Sequence, residues 1–263
     1  MTRYPAMFDR LKRRGEGAFG AFAMLGDPDP EASAAILDSL VDGGADMIEV
    51  GIPFSDPVAD GPVIQAAAVR ALAAGTRTSD CFGLLARFRT RHPEVPVGIL
   101  TYANLVAARG LEAFYRSAAE AGVDSVLVAD VPLIEASPFL AAARAGGVAP
   151  VLIAAPNTPA DRLRRMAAEG EGYTYCVARA GVTGADEEVR FAGDVVEALI
   201  EAGAPPPVLG FGIASPEHVG LALQAGAAGV ISGSAIVERI ARGEDVRGFV
   251  AAMKAATRSP RYS

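Results

Sequence analysis

Five short phrases recur along the chain, each in the same kind of place. Gly-Gly-Ala-Asp (43–46), Ala-Gly-Val-Asp (121–124), Gly-Gly-Val-Ala (146–149), Ala-Gly-Ala-Pro (202–205) and Ala-Gly-Ala-Ala (225–228) each separate an alanine-rich helical stretch from a short apolar run. A glycine there supplies the left-handed cap that ends a helix before a short turn into a strand. The repetition predicts similar helix–turn–strand units around one core. Candidate strands lie at 19–24, 46–50, 96–101, 124–129, 149–153, 173–177, 207–210 and 229–232. Helical patterns follow them at 30–42, 62–74 with 78–91, 110–120, 137–145, 160–169, 191–202, 216–225 and 235–257, the last breaking near Gly243. Strands and helices alternating at this spacing predict an α/β fold with a parallel sheet.

Eight such units in 263 residues, with no linker between them, predict a single (β/α)₈ TIM barrel domain over 1–263. A doubly wound sheet would want a glycine-rich dinucleotide loop after its first strand. Here that strand runs into Leu25-Gly26-Asp27-Pro28-Asp29-Pro30, whose prolines withhold amide donors. Within residues 1–14, Tyr4, Met7, Phe8 and Leu11 fall at helical spacing. That pattern predicts an N-terminal helix covering the barrel floor in preference to a membrane anchor.

Composition narrows the function. A hydrophobic fraction of 51% against 21% charged residues provides for a large core. The net charge of -7 disfavours nucleic acid. Cys81 and Cys176 are too few for a disulfide framework, so a reducing cytoplasm is expected. The opening residues are charged and lack the apolar core of a signal peptide. No uncharged apolar run approaches the ~18 residues of a membrane span; the stretch 131–156 contains Glu135 and Arg144. The chain has 2 histidines, no tryptophan, and lysine only at Lys12 and Lys254.

Active sites of such barrels lie at the C-terminal ends of the strands. Glu49 interrupts the short apolar strand Asp46-Met47-Ile48-Glu49-Val50. With Ile48 and Val50 facing the helices, it points into the barrel, either as an ion-paired residue or as a proton-transfer group of raised pKa. The loop 51–62 that follows holds three prolines and two aspartates. Asp56 fits turn chemistry as well as a partner surface, and Asp60 reads as an N-cap of the next helix or as a second carboxylate over the mouth. Glycine turns follow strands six, seven and eight, at Gly181-Val182-Thr183-Gly184, Gly210-Phe211-Gly212 and Ser232-Gly233-Ser234. They fit a phosphate held by backbone amides and a helix N-terminus, or tight turns alone.

Exclusions sharpen the chemistry. A Schiff-base aldolase needs a lysine at the mouth, whereas Lys12 lies in the floor segment and Lys254 in the last helix. A metal site would want clustered histidines; His92 precedes strand three and His218 opens helix seven, in no ligand spacing with either cysteine. No metal is expected. Carboxylate acid–base chemistry remains, assisted by a tyrosine. Tyr173 and Tyr175 share one strand face, and Tyr175, nearer the mouth, is the candidate, the alternative being an aromatic that fills the barrel.

The run 49–65, from Glu49-Val50-Gly51-Ile52-Pro53-Phe54-Ser55-Asp56-Pro57 to Gln65, closely resembles the signature of the tryptophan synthase alpha chain family. So do Leu25-Gly26-Asp27-Pro28, Tyr102-Ala103-Asn104, the run 124–132, Tyr173-Thr174-Tyr175, Arg179 to Gly184 and Gly210-Phe211-Gly212-Ile213, spanning residues 3 to 253. The resemblance implies a barrel that cleaves indole-3-glycerol phosphate to indole and glyceraldehyde 3-phosphate. It implies a beta chain that uses pyridoxal phosphate to condense indole with L-serine, in an alpha2-beta2 heterotetramer. No cofactor is implied in this chain. The family's acid–base glutamate matches Glu49, the aspartate at the indole N–H matches Asp60, and the tyrosine near the substrate matches Tyr175. Phosphate-binding positions match Gly184, Gly212, Gly233 and Ser234. The indole pocket matches Phe22, Leu100, Leu127, Phe211 and Ile231, with Thr183 helping to organise the site. Asp56 lies in the loop that meets the beta chain.

Two residues depart from the family pattern: Met24 stands where a threonine is common, and Thr101 where some members have methionine. The loop 181–190 also looks altered. Among rival readings, an indole-glycerol-phosphate synthase would need a lysine inside the barrel, and phosphoribosyl isomerases lack the Pro-Phe-Ser-Asp-Pro loop. A barrel kept only to activate a partner would not need Glu49, Asp60 and Tyr175 together.

Overall fold

The computed structural model describes residues 2–177, 185–210 and 212–258, with the backbone alone for 185–192. The chain opens with α1 (Tyr4–Arg14), β1 (Ala18–Met24), α2 (Pro30–Asp42), β2 (Met47–Gly51), α3 (Pro62–Ala73), α4 (Thr78–Arg91) and β3 (Val97–Thr101). It continues through α5 (Ala103–Ala107), α6 (Leu111–Glu120), β4 (Ser125–Val128), α7 (Ser137–Ala145), β5 (Ala149–Pro150), β6 (Leu152–Ala154), α8 (Ala160–Glu169) and β7 (Thr174–Cys176). It ends with α9 (Ala185–Glu201), β8 (Pro207–Leu209), α10 (Pro216–Gln224), β9 (Gly229–Ser232), α11 (Ser234–Arg242) and α12 (Val246–Ala255).

The paired strands of the sheet run parallel, in the order β5-β4-β3-β2-β1-β9-β8-β7-β6. The two ends of that order are consecutive in sequence, so the sheet closes on itself as a (β/α)₈ barrel. The strand expected at 149–153 is two pieces, because Pro150 has no amide to give the ladder. Val151 bridges them, its N–H donating to the Val126 carbonyl (3.1 Å). Two further corrections are local: the helix expected from 191 begins at Ala185, and the short α5 was not anticipated. The break expected near Gly243 is present, Gly243 being the left-handed C-cap that parts α11 from α12.

All five recurring phrases hold a glycine at positive φ: Gly44, Gly122, Gly147, Gly203 and Gly226. In the two phrases that end in aspartate, the carboxylate reaches back to the preceding strand. Asp46 accepts from the Phe19 N–H and Asp124 from the Val97 N–H, both at 2.9 Å. Strand alternation then sorts the side chains. Phe19, Ala21, Ile48, Val50, Val97 and Ile99 pack outward against the helices, while Phe22, Met24, Met47, Leu127 and Ile231 fill the lumen.

Helix α1 plugs the floor. Tyr4, Met7 and Leu11 are buried in the lumen cluster, and the Tyr4 hydroxyl lies 2.8 Å from Ser125 Oγ. The two departures sit on opposite faces of the wall. Met24 faces the lumen; Thr101, paired with the helix-facing Val128, is fully buried with its hydroxyl unpartnered among the described residues.

Candidate functional site

Strand β2 carries one carboxylate into the lumen. Ile48 and Val50 occupy the outward positions, so Glu49 points inward and is 2% exposed. Its Oε1 accepts a hydrogen bond from the Tyr173 hydroxyl at 2.7 Å. Burial dominates and pushes the carboxyl up to about 7; the Tyr173 donation opposes this and the charge of Asp60 adds to it. Tyr173 is itself braced from below by Tyr4, their rings 5.3 Å apart and edge to face.

Asp60 sits half-buried in the loop between β2 and α3. It does not cap α3, whose N-cap is Gly61 with no side-chain bond. Instead the loop is pinned from within: Gln65 Nε2 donates to the Asp60 carbonyl at 2.8 Å, and the Tyr102 hydroxyl accepts from the Ala59 N–H at 3.3 Å. Burial raises the Asp60 carboxyl above the usual range, and the nearby Tyr102 hydroxyl pulls the other way. Among the described residues neither Glu49 nor Asp60 joins a salt bridge.

Tyr175 also faces the lumen, next to Gly210. Its hydroxyl donates to the Gly210 carbonyl at 2.8 Å, and a Cβ at position 210 would overlap its ring. Sequence reasoning favoured Tyr175 for its position, whereas Tyr173 is the tyrosine bonded to Glu49. Phe22 and Leu127 are buried in the lumen wall, Leu100 is partly exposed there, and Ile231 lies deeper, paired with Gly20.

The glycine turns after β8 and β9 are tied together. Gly212 has φ +78, and Gly233 is the N-cap of α11, whose first residue is Ser234. Ser232 Oγ donates to the Ile213 carbonyl at 2.7 Å, and His218 Nδ1 lies 2.9 Å from the Gly212 carbonyl. Ser232, Tyr102 and Tyr173 were legible as parts of motifs, but no spacing argument assigned their bonds. Thr183, Gly184 and Phe211 lie outside the described residues, as does 181–184 of the altered loop.

The residues that exclusion set aside are placed elsewhere. Lys254 Nζ lies at the floor, 2.8 Å from Asp46 and 3.0 Å from Glu16. His92 Nε2 is 2.8 Å from Asp38 Oδ1. Among the described residues no three His, Cys, Asp or Glu side chains are grouped to hold a metal ion. Asp56 is exposed on the mouth loop beside Val58, which is 80% exposed. Ile134, in the turn after β4, is 76% exposed.

The sequence pattern described as "Tryptophan synthase alpha chain" matches residues 8–260. The tryptophan synthase alpha chain of Shewanella amazonensis is 57% identical over 266 residues, covering 98% of this chain and 100% of that protein. The structure is similar to tryptophan synthase subunit alpha from Legionella pneumophila, with a TM-score of 0.89, 30% identity and 98% of each chain covered. It is also similar to a chain of tryptophan synthase from M. tuberculosis in its aminoacrylate-bound form, with a TM-score of 0.89, 28% identity, and 98% of this chain and 100% of that one covered.

Proposed function

Because the chain belongs to the tryptophan synthase alpha chain family, and so is a lyase that cleaves indole-3-glycerol phosphate to indole and glyceraldehyde 3-phosphate, we propose that Glu49 and Asp60 divide the work of breaking the bond. The indole passes to a beta chain, which holds the pyridoxal phosphate. Glu49 donates its proton to indole C3. Positive charge then develops toward the ring nitrogen, and Asp60 stabilises it by accepting the N–H. With C3 tetrahedral, the bond to the carbinol carbon breaks as the carbinol hydroxyl loses its proton and becomes the aldehyde. One proton leaves the hydroxyl and one enters C3, so a single carboxyl of pKa near neutrality serves both transfers.

The observation that carries this reading is Glu49 itself, a buried carboxyl raised to about 7 with a phenol as its hydrogen-bond partner. Tyr175 lies beside the substrate. Phe22, Leu100, Leu127, Phe211 and Ile231 form the indole pocket, which Thr183 helps to organise. The phosphate is taken by Gly184, Gly212 and Gly233 with Ser234. The support is the positive N-terminal end of α11 beside the turn that Ser232 fastens. The ring serves as the electron sink, so the chemistry needs neither metal nor cofactor in this chain.

Asp56 belongs to the beta-chain surface, where exposed Val58 and Ile134 supply apolar contact. We infer an alpha2-beta2 assembly, a single domain over 1–263 and a cytoplasmic location. Two buried thiols favour a reducing compartment. Among the described residues, no helix is long and apolar enough to cross a membrane.

The decisive experiment is indole release by Glu49→Gln, with and without beta chain and with chelator as a control. Loss of turnover with retained phosphate-substrate binding is expected, and near-native turnover would overturn the assignment. Asp56→Ala should weaken activation by the beta chain more than substrate binding; unchanged activation removes it from that surface.

A further inference from the structure

The lumen is unevenly filled toward its mouth. On one side Leu100, Ala129, Ile153 and Val177 are only partly buried, at or just past the ends of β3, β4, β6 and β7. On the β1 side Phe22 and Met24 are 5% and 4% exposed. Register pairs Phe22 with Glu49 and Met24 with Gly51. Side chains two apart on a strand share a face, so the Met24–Gly51 pair stands directly on the mouth side of Phe22–Glu49. Gly51 brings no side chain, and Met24 fills its place. A Cβ on Gly51 would lie 2.8 Å from Met24 Cε, 3.0 Å from its Sδ and 3.0 Å from Phe22 Cζ. The thioether therefore lies over the β2 backbone just above the carboxyl, with the tip of the Phe22 ring reaching the same place.

We propose that Met24 is a specificity-determining residue, setting how large a substituent the aromatic-ring seat above Glu49 accepts. A ring whose C3 reaches Glu49 from the mouth has Met24 along its β1–β2 side and the open lumen on the other. Methionine is long and carries no hydroxyl, so it narrows the seat with an apolar wall. Thr101 does not restore the space, because it faces the helices. The proposal rests on the reading that Glu49 protonates the substrate ring.

The test is the reverse reaction, condensing glyceraldehyde 3-phosphate with indole or with 4-, 5-, 6- or 7-methylindole. The readout is kcat/KM for each methylindole relative to indole. One methylene in an apolar pocket is worth roughly tenfold or more. Met24→Val and Met24→Thr are expected to raise that ratio about tenfold at one or two adjacent ring positions, and Met24→Leu to keep the native profile. Two shortened variants of different polarity guard against a folding defect in either. Unchanged ratios at every position in both overturn the proposal. Leu100→Ala, on the open side, separates the two readings. A profile moved by Leu100→Ala but not at Met24 defeats the Met24 proposal alone. A profile moved by none of them defeats the seat above Glu49 as well.

Discussion

The floor and the mouth of this barrel both bury carboxylates, and they treat them differently. At the floor, Asp46 meets Lys254 at 2.8 Å, and Asp124 meets Arg89 at 2.9 Å and Arg3 at 3.0 Å. Arg89 also donates to the Gly122 carbonyl, joining the helix-to-strand turn to the same cluster. At the mouth, Glu49 has a phenol for a partner, and Asp60 has the Tyr102 hydroxyl nearby. A carboxylate beside cations holds elements in place. Glu49, buried without a cation beside it, is left able to exchange its proton near neutral pH. One residue type thus serves architecture at one end and chemistry at the other, and the side chains around it decide which.

Exchanging one carboxylate for its amide at each end tests that division. Glu49→Gln is expected to lower indole formation about a thousandfold without lowering the unfolding midpoint. Asp124→Asn should do the reverse, costing about 3 kcal/mol in urea unfolding by leaving buried arginine charge uncompensated, with kcat retained by the folded protein. Comparable losses of kcat in both variants would erase the distinction. Gly210→Ala pushes the Tyr175 ring off its carbonyl and into the site; misplacement on that scale costs about a hundredfold in kcat/KM. A native kcat/KM there would remove Tyr175 from the substrate's surroundings.

A finer test is the pH profile. Tyr173 donates to the Glu49 carboxylate and so favours its charged form. Tyr173→Phe removes that donor, the carboxyl rises above about 7, and the alkaline fall in kcat moves to higher pH. A limb that stays or moves down contradicts the pairing. Linkage gives the same group a stability signature. Its folded pKa is raised, so its contribution is fully present below the unfolded value and is lost as pH rises through about 7. Glu49→Gln should flatten that decline. The smallest effect belongs to the other face of the wall: Thr101→Val removes a buried hydroxyl without a partner and should stabilise the fold by about 1 kcal/mol, read as a raised Tm.

The sequence made the barrel legible because glycine caps are a local requirement: a chain that must turn left-handed after each helix declares it at Gly44, Gly122, Gly147, Gly203 and Gly226. Glu49 was legible for a similar reason, a charge in an apolar strand with a face set by alternation. The divided strand at Val151 was less so, since Pro150 forbids one ladder bond without saying where pairing resumes. The choice between Tyr173 and Tyr175 was not local at all. Both face the lumen, and which phenol meets Glu49 depends on how strands far apart in sequence stagger around the closed sheet. The same holds for the Ala59 bond to Tyr102 and the Ser232 bond to Ile213, each joining separate loops.

That long-range origin has a consequence for how the protein comes into being on the ribosome. The Tyr173–Glu49 bond spans 124 residues and the Tyr4–Ser125 bond 121. A nascent chain that has made β1 to β4 therefore carries Glu49 on the uncovered face of an open sheet, wetted and with an ordinary acidity. The aromatic column of Tyr4 and Tyr173 closes beneath it only after β7 has emerged. Proton-transfer competence is thus a property of the finished ring of strands, absent from every partial barrel that precedes it.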